Sequence, residues 1–119
     1  MWLPDSIKQS LVERMQFGRE KYGHGLRSSM DTRQWGTKDD SWLEMAAEEY
    51  LDAIMYILTD YIRVTGSGDE KDDTPTLLEL MNNPLSQIKI KFHADTLRAT
   101  VDLLQNLLRC HQHRSQVHK

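Results

Sequence analysis

SWLEMAAEEYLDAIMYILTDYIRV, residues 41–64, decides the fold of this 119-residue chain. Ser41-Trp42-Leu43-Glu44 reads as a capping box, in which the Ser41 hydroxyl and the Glu44 carboxylate satisfy backbone N–H groups at a helix start. From about Trp42 to Val64, Leu43, Ala47, Leu51, Ile54, Leu58, Tyr61 and Ile62 fall on one apolar arc at helical spacing. The arc covers more than a third of the helix surface, so the helix packs on more than one side and is the central element.

Outward from this helix the chain reads as further helical blocks. Upstream, Asp5 or Ser6 offers an N-cap just after Pro4. Ile7, Leu11, Met15, Gly18 and Tyr22 then mark a buried stripe that stops at Gly23-His24-Gly25. Residues 23–40 form a long polar loop, a length that in a compact domain signals function or mobility. Downstream, residues 66–73 form a second polar loop. Thr74 and Pro75 give an N-cap and first-turn proline for a short helix through Met81, broken by Asn82-Asn83-Pro84. The last block runs from about Ser86 to His111. Its seam of Ala94, Leu97, Val101, Leu104 and Leu108 packs either inside the monomer or across a dimer. The expectation is an all-α, compact bundle of three to five helices. It forms one domain over residues 1–119, with residues 110–119 a frayed tail, and is completed by dimerisation or higher oligomerisation.

Composition is that of an ordinary globular protein, 39% hydrophobic and 28% charged, with a formal net charge of -3. That balance gives no global attraction to nucleic acid or to an acidic membrane, and there is no basic helix or aromatic-basic platform. The single cysteine, Cys110, forms no intramolecular disulfide and points to a reducing compartment. It reads as a small apolar residue rather than a nucleophile. No apolar run reaches the length that crosses a bilayer and the N-terminus lacks a signal-peptide pattern, so a cytoplasmic protein is expected.

Chemistry concentrates on the central helix. Glu44, Glu48 and Asp52 are spaced i, i+4 and i+8 and project in a row spanning about 80°, with Glu49 further round the same polar side. Like charges at i,i+4 cost a helix a few tenths of a kcal/mol each, so helix stability gives no reason for the row. A hard divalent cation does, because Mg²⁺ takes carboxylate oxygens, keeps several waters and shares its remaining positions with substrate phosphates. The plainer reading is a solvated acidic face, with Glu44 accounted for by the capping box.

The segment Glu48-Glu49-Tyr50-Leu51-Asp52, followed by an apolar helix with Tyr56, resembles the acidic helix of the MazG-like all-α nucleoside triphosphate pyrophosphohydrolases. Arg19-Glu20-Lys21-Tyr22-Gly23 and the stretch from Trp35 to Trp42-Leu43-Glu44 resemble phage-encoded members, so the resemblance runs over about half of the chain, residues 11–64. It implies Mg²⁺, with Mn²⁺ as a substitute, held by a Glu-Glu-x-x-Glu helix and a later Glu-x-x-Asp helix. Water then attacks the α-phosphorus of a nucleoside triphosphate to leave a monophosphate and pyrophosphate. Glu48, Glu49 and Asp52 match the first motif, with Asp52 in place of its last glutamate.

The second motif departs from the pattern. Glu70-Lys71-Asp72-Asp73 lies in a loop, Glu79 is followed by Asn82 where an acid belongs, and Arg98 sits between Asp95 and Asp102 in what reads as an ion-paired face. Alternatively Glu49 and Asp52 are themselves the second motif, and Glu13 or Glu20 supplies the first.

On this reading Glu44, Glu48, Glu49 and Asp52 form the metal-binding and catalytic group, with Glu48 as the base that takes the water's proton. Lys21, Arg14 and Lys38 neutralise phosphate, Tyr22 joins them at the substrate, and Trp35 either stacks on the base or pins the loop to the core. His111, His113 and His118 fall in the tail and read as a frayed terminus rather than a metal trap. His24 alone is near enough in sequence to watch. The expected activity is Mg²⁺-dependent conversion of a nucleoside triphosphate, with purine deoxynucleotides the guess, in the host cytoplasm if the chain is phage-encoded. The competing expectation is a non-catalytic helical dimerisation module whose acids are only surface.

Overall fold

A computed structural model describes residues 3–69 and 71–117. Among the described residues there are five α-helices, a single 3₁₀ turn and no strand. The helices are α1 (Asp5–Tyr22), α2 (Trp42–Thr65), α3 (Thr74–Asn82), α4 (Pro84–Gln87) and α5 (Lys91–Val117), with the 3₁₀ turn at Thr32–Trp35. The all-α expectation holds. The chain divides into two compact units, Met1–Asp31 and Thr32–Lys119.

The first unit is α1 and the segment after it. Its helix starts one residue earlier than a side-chain cap allows: Pro4 is the N-cap, no side chain caps it, and Asp5 sits inside the first turn, where its charge meets the positive end of the helix. Its end is as expected. Gly23, at φ 78°, turns the chain left-handed and donates its N–H to the Arg19 carbonyl. The stripe expected to be buried is not. α1 buries none of its side chains, and Ile7, Leu11, Met15 and Tyr22 stay exposed, because a lone helix has no second apolar face within its own unit.

In the second unit α2 and α5 are the principal partners. Leu58, Tyr61 and Ile62 of α2, Leu80 of α3, Ile88 in the segment between α4 and α5, and Leu97 of α5 make the buried cluster, with Ile54, Leu77, Ala94 and Val101 packed around it. The seam on α5 therefore closes inside the monomer along Ala94, Leu97, Val101 and Leu104, while Leu108 at its far end is exposed. On α2 the expected arc is covered unevenly. Leu58 and Ile62 are fully buried, but Leu51 is 51% exposed, since the buried cluster gathers about the C-terminal half of the helix.

The last block is not one helix from Ser86. α4 ends at Gln87, Ile88 is extended, and α5 begins at Lys91. The break is held by Tyr61, whose hydroxyl donates to the Gln87 carbonyl (3.1 Å) and accepts the Lys89 N–H (3.2 Å). Two backbone groups that a continuous helix would have satisfied are met by one buried phenol. Beside it His93 is buried on α5 with its Nε2 2.8 Å from the Asp60 carboxylate of α2, its ring edge-on to Tyr61. At α3 the N-cap is Asp73 rather than Thr74, which is the first helical residue, and Asp72 accepts the Thr74 N–H (3.0 Å). At the other end α5 continues to Val117, so residues 110–117 lie in the helix; His118 lies outside the described residues.

Candidate functional site

The N-terminal end of α2 is organised by a buried threonine. The Thr32 hydroxyl is fully shielded, bonds the Thr37 hydroxyl (2.8 Å) and accepts the Ser41 N–H (2.8 Å), while Thr37 donates to the Asp39 carbonyl (2.6 Å). The Thr32 N–H donates to the Asp40 carboxylate (3.1 Å). These bonds fold residues 32–41 back on themselves and deliver Ser41, in extended backbone, as the N-cap that accepts the Glu44 N–H (3.2 Å). Trp35 packs at a tilt against Trp42, ring centroids 5.9 Å apart, so the structure engages the tryptophan in pinning the loop to the helix start.

Only half of the expected capping box forms. The Glu44 carboxylate does not return to the Ser41 N–H, which Thr32 already occupies. It accepts instead the N–H groups of Lys38 (2.6 Å) and Asp39 (2.9 Å). Two charge-assisted bonds to loop amides are a stronger anchor than one to the cap. Glu44 thus leaves the row and joins the loop, and what Lys38 gives to this network is its backbone N–H.

Glu48 and Glu49 are exposed and Asp52 is half-buried, on successive turns of α2. Among the described residues none of these three carboxylates has a hydrogen-bond or ion-pair partner. Glu48 lies about 40° round the helix from Glu44, away from the loop whose amides Glu44 reaches. Arg14, Lys21 and Tyr22 belong to the Met1–Asp31 unit, where all three are exposed and the Lys21 ammonium lies over the Tyr22 ring, 5.4 Å from its centroid. His24 there sits beside its own neighbour, with Nδ1 2.9 Å from the Gly25 carbonyl.

Two of the candidates for a second acidic motif are engaged elsewhere. Asp73 accepts the Asp69 N–H (2.6 Å), Asp95 pairs with Lys91 rather than Arg98, and Glu70 lies outside the described residues. An open cavity of about 530 Å³ at the far end of α2, lined by Tyr61, Thr65, Glu79 and Lys89 among others, shares no residue with the row.

One residue at this end of α2 was not foreseen as part of a site. His111, placed by its sequence context in a polar tail, stands on α5 with Nδ1 3.0 Å from the Ser41 hydroxyl and Nε2 3.2 Å from the Asp39 carboxylate and 4.0 Å from that of Glu44. Nothing local marks it: its partners are about seventy residues away along the chain. No family model matches the chain, and no curated protein or solved structure matches it either.

Proposed function

We propose that the chain is a Mg²⁺-dependent nucleoside triphosphate pyrophosphohydrolase of the MazG-like kind, acting as a homo-oligomer in the cytoplasm. One observation carries the reading: Glu48, Glu49 and Asp52 are held together on α2 with no partner among the described residues. Three uncompensated carboxylates on two turns repel one another, and a divalent ion held by them would relieve that repulsion and attract phosphate. Glu49 and Asp52 are the ligands and Glu48 the base. The metal supplies Lewis acidity at phosphorus and a bound water of lowered pKa. Glu44 supports this group by fixing the loop that carries Lys38 and Trp35. The exposed Leu51 and Met55 beside the row fit a second copy of the chain. Neither nucleic acid nor membrane enters the proposal, and among the described residues no helix is long and apolar enough to cross a membrane.

The exposed apolar side chains of α2 and α5, Leu51, Met55, Leu103 and Leu108, also favour the second reading, a helical dimerisation module without catalysis. A panel of nucleoside triphosphates with Mg²⁺ or Mn²⁺ separates the two. Pyrophosphate release that falls at least about a hundredfold in Glu49→Gln, with helicity and oligomeric state unchanged, is the expected outcome. Absence of turnover for every nucleotide, with a melting temperature indifferent to metal plus nucleotide, leaves the module. Release of phosphate instead of pyrophosphate rejects the assigned bond cleavage.

A further inference from the structure

We propose that Asp39, Glu44 and His111 form a mixed imidazole–carboxylate site for a transition-type divalent cation, Zn²⁺ being the probe of choice, which clamps the end of α5 to the loop before α2. This site is independent of the nucleotide chemistry assigned to Glu48, Glu49 and Asp52. One ligand atom from each of the three residues lies within 4.8 Å of the others. Donors bound at about 2.1 Å to a four-coordinate zinc stand about 3.4 Å apart, and about 3.0 Å apart around an octahedral ion. The observed separation of His111 Nε2 from Asp39, 3.2 Å, lies between those values, and that from Glu44, 4.0 Å, is about 0.6 Å beyond the larger, so the set needs only a small contraction to hold an ion.

Three features favour an ion over a simple ion pair. A protonated Nε2–H serves one acceptor well, and Asp39 takes it at 3.2 Å, which leaves Glu44 at 4.0 Å with no bond to the ring. A cation between them uses all three groups. The other ring nitrogen faces the Ser41 hydroxyl at 3.0 Å, the arrangement in which Nδ1–H donates outward and Nε2 keeps its lone pair for a metal. The Glu44 carboxylate is fixed in advance by the Lys38 and Asp39 amides, each of its oxygens keeping a further lone pair. Opposing this, the N-terminus of α2 carries roughly half a positive charge, which two full carboxylates outweigh. An imidazole in the set selects Zn²⁺, Co²⁺ or Ni²⁺ over Mg²⁺, which demands oxygen. The half-buried position of His111 and Glu44, with side chains 18% and 20% exposed, reduces competition from water.

Tag-free full-length protein titrated with Zn²⁺ by calorimetry and with Co²⁺ by visible absorption, both in millimolar Mg²⁺, tests the site. The expected result is one equivalent per chain, affinity falling at least about tenfold in His111→Gln and in Asp39→Asn, and no change in His113→Gln or in the Glu48→Gln/Glu49→Gln pair. Asp39 is exposed, so its variant keeps the proposal testable if the histidine variant unfolds. Failure of Zn²⁺ to bind, binding indifferent to His111→Gln and Asp39→Asn, or binding lost with the Glu48 and Glu49 pair would each overturn it. So would a clamp that tightens on acidification with no ion bound, since that is the signature of an imidazolium ion pair.

Discussion

Glu44 and Glu48 stand one turn apart on the same helix, carry the same side chain and differ in almost everything else. Glu44 is half-buried, accepts two loop amides and lies 4.0 Å from His111; Glu48 is exposed and has no partner among the described residues. The difference comes from a rotation of about 40° about the helix axis for each step of four residues. That rotation takes Glu48 away from the loop that Glu44 reaches. At the loop end carboxylates are structural and their removal is felt as lost stability. In the middle of the helix Glu48 and Glu49 have no partner among the described residues, so their removal is expected to cost little stability.

The sharpest way to break this contrast is at the residue that builds the loop end. Thr32→Val keeps the shape and deletes the hydroxyl that bonds Thr37 and receives the Ser41 N–H in a fully buried position. The stranded polar groups predict a loss of about 1–3 kcal/mol, read as the midpoint shift in urea or thermal unfolding. Loss of the cap geometry should appear at the same time as reduced helicity at the start of α2 in hydrogen exchange. A Thr32→Val protein as stable as the parent means that the loop does not organise this end.

The contrast itself is measured by paired truncations. Glu44→Ala strands the Lys38 and Asp39 amides, which water reaches in part, and is expected to cost about 1–2 kcal/mol. Glu48→Ala removes a charge with like-charged neighbours and no partner, so its effect on stability is expected within about 0.5 kcal/mol of zero. Denaturant melts of the two variants in the absence of divalent ions decide it. Equal costs would mean that Glu48 has a structural partner after all, and the uncompensated row, on which the proposed chemistry rests, would go with it.

How far the sequence could be read follows the same line between local and distant. α2, its Ser41 cap, the Gly23 stop of α1 and the α5 seam are all set by neighbours within a turn or two, where side-chain period and cap chemistry operate. The acids of the row were equally legible as positions on a helix face. Their engagement was not, because a capping-box glutamate is recognised three residues from its serine, whereas the amides that took Glu44 lie in a loop folded by the burial of Thr32. The break at Ile88–Ile90 depends on Tyr61, well upstream on α2, and His111 on a loop at the other end of the unit. Helical periodicity carries no information about such returns. It also overstated burial for α1, where an amphipathic stripe marks a face that needs a partner without specifying one.

A third carboxylate separates exposure from engagement, the two properties that differ together between Glu44 and Glu48. Asp72 is exposed like Glu48, yet it accepts the Thr74 N–H at the start of α3 and bonds the Thr74 side chain, first the backbone and then the hydroxyl holding its carboxyl below the ordinary value of 3.8. A depressed folded-state pKa stabilises the protein above the ordinary value and ceases to do so as the pH falls through the lowered one. Asp72→Ala is therefore expected to melt below the parent at neutral pH, by the smallest margin of the three tests because the site is fully in water. The gap should hold down to about pH 4 and close below it. A gap for Asp72→Ala that persists unchanged into strong acid would mean that the charge plays no part in the cap, and exposure alone would then suffice to sort these acids.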